Sequence, residues 1–307
     1  MPQKFDAILM IGYGAPEKIE DIRPFLQNVA KGRPIPPDRL DEVAHHYELF
    51  GGKSPLNEYT YKQANGLQNK LAENGHEIPV YVGMRNWHPL TPDTIKQMSE
   101  SGVKRAIGMI MAAHQSDASW EKYQRDVQQA LTELGVQMEF QYSPPLFDHP
   151  LFIEDSADRV LDCLNEIPPE EYESTMILFT AHSIPTPMAE ASPYVEQLTA
   201  TARLIAEKLD YDNWRLVYQS RSGRPTDPWL EPDVCDVIEE IAKEGVKNVI
   251  VQPIGFICDH IEVLFDIGVE AKKTSQEVGI NLLRAKTVND DPKFIEAMAD
   301  VVEKMMD

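Results

Sequence analysis

Short, unbroken apolar runs alternate with longer amphipathic stretches along the chain. An unbroken apolar run is typical of a strand buried on both faces of a parallel sheet, and the longer stretches are typical of helices. The alternation therefore predicts an α/β protein with parallel sheets flanked by helices. The expected strands lie at residues 5–11, 79–83, 105–112, 137–141, 175–181, 214–219, 247–254 and 281–285. The expected helices lie at residues 17–31, 38–49, 57–74, 91–101, 118–134, 150–165, 191–209, 232–244, 261–278 and 291–306.

Two apolar runs look like copies of each other. In residues 8–16 and 177–185, the apolar run is followed by an aromatic side chain, Tyr13 or His182. A proline stands three positions after that side chain. A second pair, residues 102–110 and 245–254, repeats a Gly-Val-Lys turn before an apolar run. Ligands of open α/β sheets bind beyond the carboxyl ends of the strands. We therefore expect Tyr13 and His182 at equivalent strand ends of two half-molecules that face one cleft.

The length of 307 residues is enough for two domains of ordinary size. The Pro- and Glu-rich residues 167–171 mark the boundary between them. We expect an N-terminal domain at 1–167, whose helical insertion forms one wall of the cleft, and a second domain at 168–286. Residues 287–307 are expected to form a helix that packs back on the first domain.

The formal charge of −21 makes nucleic acid and anionic membranes poor partners. The chain lacks a signal-peptide pattern and an apolar run of about 18 residues, so we expect a cytoplasmic protein without a membrane anchor. Cys163, Cys235 and Cys258 are far apart in the sequence and form no CxxC pair. They predict neither disulfides, nor a zinc site, nor an iron–sulfur cluster.

Three carboxylates follow the apolar run at 247–254. Glu262, Asp266 and Glu270 are spaced by four residues, which places them on one face of the predicted helix. They form either a solvated acidic face or a row of oxygen ligands that leads a cation inward. His182 and Glu262 together supply nitrogen and oxygen ligands that suit Fe²⁺ and related metals. Both groups can also accept protons near neutral pH.

Several motifs, in this order along the chain, resemble those of the ferrochelatase family. They cover nearly the whole chain, which makes the resemblance more specific than any one motif. They are Gly51-Gly52-Lys53-Ser54-Pro55-Leu56, Gly83-Met84-Arg85-Asn86-Trp87-His88-Pro89, Ala181-His182-Ser183-Ile184-Pro185, Tyr218-Gln219-Ser220-Arg221, Asp227-Pro228-Trp229-Leu230-Glu231-Pro232-Asp233 and Pro253-Ile254-Gly255-Phe256 followed by Asp259-His260-Ile261-Glu262-Val263-Leu264.

The resemblance implies two Rossmann-like, chelatase-type domains with a porphyrin in the cleft between them. It implies a lyase of heme biosynthesis that inserts Fe²⁺ into the ring. By resemblance, His182 and Glu262 are the catalytic and inner metal pair, and Asp266 and Glu270 lie on the metal path. Fe²⁺ is then a substrate, and no prosthetic group is expected. We expect a monomer that makes transient contact with coproheme decarboxylase, the next enzyme of the pathway.

Gly12-Tyr13-Gly14-Ala15-Pro16 resembles the coproporphyrin-type members of the family, in which the tyrosine is an axial ligand to iron on the face opposite the histidine. The alternatives are a protoporphyrin IX ferrochelatase, a cobalt or nickel chelatase, and a tetrapyrrole-binding protein without catalysis.

The resemblance also implies a set of porphyrin contacts. Ser54 and Tyr123 match their family positions, and Tyr47, Lys31, Arg33 and His46 are further candidates. The chain departs from the family at three segments: Ala30-Lys31 replaces two arginines, His46 replaces an arginine, and Ala112-Ala113-His114-Gln115-Ser116 replaces a Pro-His-aromatic-Ser pattern. These departures affect the expected propionate contacts and leave the metal chemistry unchanged.

Overall fold

A computed structural model describes residues 5–31, 37–222, 224 and 226–306. Within these residues, eight strands form two four-stranded parallel sheets, and all eight overlap the strands expected from the sequence. The prediction of parallel sheets flanked by helices is therefore confirmed.

The first sheet contains β1 (Ala7–Gly12), β2 (Val80–Met84), β3 (Arg105–Ile110) and β4 (Glu139–Tyr142). Its strands lie in the order β2-β1-β3-β4, and all neighbours are parallel. All six residues of β1 are buried, as expected for an inner strand whose two faces are both covered.

The second sheet contains β5 (Thr175–His182), β6 (Trp214–Gln219), β7 (Asn248–Gln252) and β8 (Asn281–Arg284). Its order, β6-β5-β7-β8, repeats that of the first sheet. Strands β1 and β5 are therefore equivalent, and so are β3 and β7, as the two sequence repeats predicted. In both sheets the chain reverses its direction of winding beside the inner strand, where α/β proteins bind ligands.

Each expected helix overlaps a helix of the structure, and Thr186–Glu190 is an additional short helix that the sequence did not predict. The helices are α1 (Ile19–Ala30), α2 (Pro37–Leu49), α3 (Leu56–Glu73), α4 (Thr91–Glu100), α5 (Lys122–Leu134), α6 (Pro150–Leu164), α7 (Thr186–Glu190), α8 (Tyr194–Leu209), α9 (Val234–Lys243), α10 (Lys272–Glu277) and α11 (Pro292–Met306). No helix in the described residues is long and apolar enough to cross a membrane.

Helix α9 illustrates how the sequence forms these helices. Its buried residues recur at the helical period and pack on β5 and β7. These residues are Val234, Val237, Ile238 and Ile241.

Two helices differ from the expectation. Asp117–Glu121 and Val263–Ala271 are π-helical, whereas the sequence predicted continuous α-helices at 118–134 and 261–278. The apolar pattern does not distinguish i→i+4 from i→i+5 hydrogen bonding over one or two turns. Such π-helical segments are frequent at functional sites.

The chain folds as two compact units. The first contains the residues up to Met111, Trp120–Pro144 and the chain from Met298 onward. The second contains Ala112–Ser119 and Pro145–Ala297, so α6 belongs to it although the sequence placed the boundary at 167. In the first unit, the Asn74 amide donates a hydrogen bond of 2.7 Å to Glu303 near the end of α11.

Candidate functional site

His182 is the last residue of β5, at the carboxyl edge of the second sheet. The peptide that follows it is held at both ends: the Ser183 N–H donates to the Gln219 carbonyl at 2.8 Å, and the Tyr194 hydroxyl donates to the His182 carbonyl at 3.1 Å. The Nδ1 atom of His182 contacts the Ser183 carbonyl. A carbonyl only accepts, so Nδ1 carries the proton in the neutral ring and Nε2 presents a lone pair.

The motif at residues 227–233 frames the turn after His182. The Ser183 hydroxyl donates to the Leu230 carbonyl at 2.8 Å, and the Leu230 N–H donates to the Ile184 carbonyl at 3.0 Å. Pro185 and Trp229 form an antiparallel bridge. This pairing holds the turn next to the strand end, so the motif supports His182 through the backbone.

Glu262 lies beside His182. Its Oε2 atom is 3.9 Å from Nε2 of His182 and 3.7 Å from Nε2 of His260. The His260 ring packs on Phe256, with ring centroids 4.5 Å apart. One carboxylate oxygen therefore lies between two imidazoles. The sequence analysis gave no role to His260, although it stands two positions before Glu262 in a motif that matched the family.

A glycine allows the loop that carries Glu262 to approach β5. The Gly255 N–H donates to the Thr180 carbonyl at 3.0 Å, and a Cβ atom at Gly255 would lie 2.6 Å from the Cβ of Ala181. No real Cβ fits at that distance, so only glycine brings this loop to the residue next to His182.

Asp259 fixes the same loop from its other side. Its N–H donates to the Asn289 side chain at 2.8 Å, and its carboxylate accepts from the Arg284 guanidinium at 2.9 Å and from the Thr287 hydroxyl at 3.3 Å. Asp259 is 6% exposed, so these bonds replace the water it loses. The backbone that leads to Glu262 is therefore tied to the segment after β8.

Asp266 lies one π-helical turn beyond Glu262. Its carboxylate accepts hydrogen bonds from the Ser220 hydroxyl and, at 3.4 Å, from the Gln219 amide. Ser220 has a φ of 62°, a left-handed conformation that turns the chain at the end of β6. The ends of β5 and β6 and the π-helical segment thus contribute polar groups to one edge of the sheet.

The pKa of Asp266 is raised to about 7. Burial is the largest cause, and the negative charges of Glu262 and Glu270 add to it, while the hydrogen bond from Ser220 acts in the opposite direction. The three carboxylates are therefore near neighbours, as their spacing predicted. Glu270 is exposed, whereas Glu262 and Asp266 are partly buried.

In the described part of the chain, no group of three or more His, Cys, Asp or Glu side chains is arranged to hold a metal ion. His182 and Glu262 offer one nitrogen and one oxygen atom, 3.9 Å apart.

Tyr13 occupies the equivalent position in the first unit, directly after β1. Its carbonyl accepts hydrogen bonds from the Asn86 N–H at 2.9 Å and the Asn86 amide at 3.2 Å. Gly14 follows with a φ of 80°, and a Cβ atom there would lie 2.9 Å from the Trp87 nitrogen. The Tyr13 ring is 37% exposed at this strand end.

Aromatic rings surround Tyr13. Phe25 meets the Tyr13 ring edge-on at a centroid distance of 6.2 Å and the Tyr47 ring at 5.7 Å. Burial raises the pKa of Tyr123, and the nearby Tyr13 raises it further. The structure thus brings together Tyr13, Tyr47 and Tyr123, three of the predicted site residues.

Arg85 joins this cluster and was not predicted as a site residue. Its guanidinium lies 5.8 Å from the centroid of the Tyr123 ring and 3.2 Å from the Asp126 carboxylate. The matching motif at residues 83–89 contained it, but the motif alone does not show which ring it covers.

The other predicted porphyrin contacts also belong to the first unit. Ser54 is 1% exposed, and its N–H donates to the Pro16 carbonyl at 3.1 Å. Lys31 is exposed just after α1, and His46 is partly buried on α2. Arg33 lies outside the described residues.

The chain is similar to known proteins over nearly its whole length. A family model described as ferrochelatase matches residues 5–306. The coproporphyrin III ferrochelatase of Mycolicibacterium smegmatis is 41% identical over 306 residues, which cover 98% of this chain and 90% of that protein. The protein of the same name from Streptomyces coelicolor is 41% identical over 317 residues, which cover 97% and 84%.

A solved structure shares the fold. SirB from Bacillus subtilis with Fe³⁺ superposes with a TM-score of 0.62 at 11% sequence identity, covering 99% of this chain and 96% of SirB. The identity is too low to carry function, and the likeness concerns the chelatase-type fold alone.

Proposed function

Because the chain belongs to the ferrochelatase family, we propose that it inserts ferrous iron into coproporphyrin III to give coproheme. The observation that carries the chemistry is the pair formed by Nε2 of His182 and Oε2 of Glu262, 3.9 Å apart at the end of β5. The choice of porphyrin is supported by two relatives that are 41% identical and are named coproporphyrin III ferrochelatases.

The reaction needs a base at the face of the ring. A free porphyrin holds two N–H protons, and iron cannot occupy the centre until both leave. The Nε2 lone pair of His182 accepts a pyrrole proton, because Nδ1 is already committed to the Ser183 carbonyl. The resulting imidazolium is stabilised by the Glu262 carboxylate, and His260 on the same oxygen offers an onward acceptor.

The same pair can hold the incoming metal. Metal bonds to imidazole nitrogen and carboxylate oxygen are about 2.0–2.2 Å long, so two atoms 3.9 Å apart can both reach one ion. We propose that Glu270, exposed, and Asp266, partly buried, form the path along which Fe²⁺ reaches Glu262. Their mutual repulsion in the absence of the ion is relieved when a cation lies among them.

The aromatic cluster of the first unit supports a role in binding the ring. We propose Tyr13 as the axial ligand to the iron of the product and Tyr47 and Tyr123 as contacts of the macrocycle. The hydroxyl of Tyr123 is protonated at neutral pH and can donate a hydrogen bond, and burial raises its pKa further above the ordinary value. Ser54, Lys31 and His46 are proposed contacts of the propionates, to which a lysine gives charge-assisted hydrogen bonds.

We also propose that the protein acts as a monomer and passes coproheme to coproheme decarboxylase by transient contact. The chemistry of the product supports the transfer, since free ferrous porphyrins are reactive and benefit from direct transfer.

The proposed substrate is tested by measuring initial rates of anaerobic Fe²⁺ insertion into coproporphyrin III and protoporphyrin IX under identical conditions. A higher kcat/KM for coproporphyrin III is expected. A preference for protoporphyrin IX would place the chain in the protoporphyrin branch. Insertion of Co²⁺ or Ni²⁺ without Fe²⁺ activity would contradict ferrochelatase function, and so would porphyrin binding without turnover of any metal.

A further inference from the structure

We propose that Tyr194, supported by His114, is a positioning residue that fixes the orientation of the His182 ring. The inference rests on the proposed role of His182 in proton transfer. It concerns a layer of buried side chains behind the strand end.

The hydroxyl of Tyr194 holds the carbonyl of His182. Tyr194 begins α8, is 5% exposed, and donates a hydrogen bond of 3.1 Å to that carbonyl. The peptide between His182 and Ser183 is therefore fixed on both sides, because its N–H donates to the Gln219 carbonyl at 2.8 Å. Rotation of this peptide would break both bonds at once.

This peptide controls the catalytic ring. The next carbonyl along the chain, that of Ser183, accepts the Nδ1 proton of His182. A turn of the peptide would move this acceptor, and the ring would follow it. The lone pair on Nε2 would then leave the position beside Glu262. Hydrogen bonds of this kind set the tautomer and direction of functional histidines in many proteins.

His114 braces Tyr194 from behind. It is 2% exposed, its ring meets the Tyr194 ring edge-on at a centroid distance of 6.4 Å, and its Nε2 lies 2.9 Å from the Thr201 hydroxyl. The Thr201 hydroxyl itself donates to the Phe147 carbonyl at 2.6 Å. Its only proton is thus used, so His114 must donate from Nε2. Burial lowers the pKa of His114 to about 3, which keeps this ring neutral.

A reciprocal amide pair fixes the register between His114 and α8. The Gln115 N–H donates to the Gln197 side chain at 2.7 Å, and the Gln197 amide donates back to the Gln115 side chain at 2.8 Å. Residues Ala112–Ser119 follow β3 in sequence but belong to the second unit. Residues 112–116, which depart from the family pattern, therefore contact the first turn of α8, which carries Tyr194.

The test compares two tyrosines whose hydroxyls contact backbone carbonyls at opposite ends of β5. Tyr194→Phe removes only the hydroxyl at the carboxyl end of β5. Tyr211→Phe is the matched control, because the Tyr211 hydroxyl lies 2.9 Å from the Thr175 carbonyl at the opposite end of β5 and 2.8 Å from the Tyr172 carbonyl. For Tyr194→Phe we expect kcat for iron insertion to fall roughly tenfold, with KM for both substrates and porphyrin affinity unchanged. We expect Tyr211→Phe to lower the melting temperature by about as much as Tyr194→Phe does and to leave kcat unchanged.

A second comparison tests whether His114 acts through Tyr194. His114→Gln keeps a donor for the Thr201 hydroxyl but removes the ring that braces Tyr194. We expect its effect on kcat to be absent in the Tyr194→Phe background, because residues that act in series are not additive. Equal kcat values for Tyr194→Phe, Tyr211→Phe and the unmodified protein would overturn the inference. So would an unchanged His114→Gln effect in the double variant. If His182→Ala nevertheless abolishes turnover, the proposed function stands and only the positioning role is lost.

Discussion

The hydroxyl of Ser220 donates a hydrogen bond to the carboxylate of Asp266, and this contact joins the end of β6 to the π-helical segment. Ser220 reaches it from a left-handed backbone conformation. Burial raises the pKa of Asp266, and the negative charges of Glu262 and Glu270 raise it further. The arrangement places a carboxyl group with a raised pKa beside the proposed route of the metal.

Asp266→Asn and Glu270→Gln are each expected to raise the KM for Fe²⁺ and to leave porphyrin affinity unchanged. The loss of one carboxylate removes about 1 kcal/mol of attraction for a cation near the surface, which corresponds to roughly a fivefold change. Glu277→Gln on α10 is the control, since it removes the same charge from an exposed residue paired with Lys273. Iron kinetics that are unchanged in both site variants would show that the three carboxylates are only a solvated acidic face.

The stability of the folded protein should depend on the proton of Asp266. The unfolded chain releases this proton near the ordinary pKa of 3.8, and the folded protein releases it near 7. Between these values the folded state binds more protons, so the free energy of unfolding should decrease as the pH rises. Relative to Asp266→Asn, the unmodified protein should lose on the order of 1–3 kcal/mol between pH 4 and pH 8.

Urea titrations of both proteins at several pH values measure this difference. The comparison cancels the contribution of other groups that titrate in the same range, such as Asp155, whose pKa burial also raises to about 7. Parallel pH profiles for the two proteins would mean that Asp266 is ionised normally.

The sheets could be predicted from the sequence because their inner strands are buried on both faces. The apolar runs before Tyr13 and His182 became β1 and β5, the equivalent inner strands of two sheets with the same strand order. The helical segment after Glu262 was predicted as an α-helix but is π-helical at Val263–Ala271, since hydrogen-bond register does not appear in the apolar pattern.

The candidate site was predictable where one residue sits at one strand end. His182 ends β5 and Tyr13 directly follows β1, whereas Glu262 lies at the start of the helical segment after β7. The groups that act on them were not predictable, because they come from distant positions in the chain. The contact between the Tyr194 hydroxyl and the His182 carbonyl depends on how α8 packs. The contact between Arg85 and the Tyr123 ring depends on how α5 packs.

Tyr13→Phe should change the visible absorption spectrum of the coproheme complex, because it removes the phenolic oxygen proposed to bind iron. The ring and its edge-on contact with Phe25 remain, so stability should change by less than about 0.5 kcal/mol. Tyr61→Phe is the control, since Tyr61 on α3 is similarly exposed at 41%. Identical spectra for Tyr13→Phe and the unmodified protein would remove Tyr13 from the list of iron ligands.

Gly255→Ala should lower both stability and activity. The added Cβ would lie 2.6 Å from the Cβ of Ala181, so the loop must move away from β5. Overpacking of this kind costs about 1–3 kcal/mol. Gly268→Ala is the control for stability, because a Cβ there meets no atom within 4 Å. Equal melting temperatures for the two variants would show that the loop tolerates a side chain at Gly255.

The central claim is that His182, beside Glu262, takes the pyrrole protons during iron insertion. The most direct measurement is the rate of Fe²⁺ insertion into coproporphyrin III by His182→Ala and by His76→Ala. His76 lies 3.9 Å from Glu303, the same separation as in the proposed catalytic pair, but outside the site. We predict that His182→Ala loses at least about a hundredfold in kcat while it folds and binds porphyrin normally, and that His76→Ala retains full activity. Near-normal turnover by a folded His182→Ala protein would contradict the account.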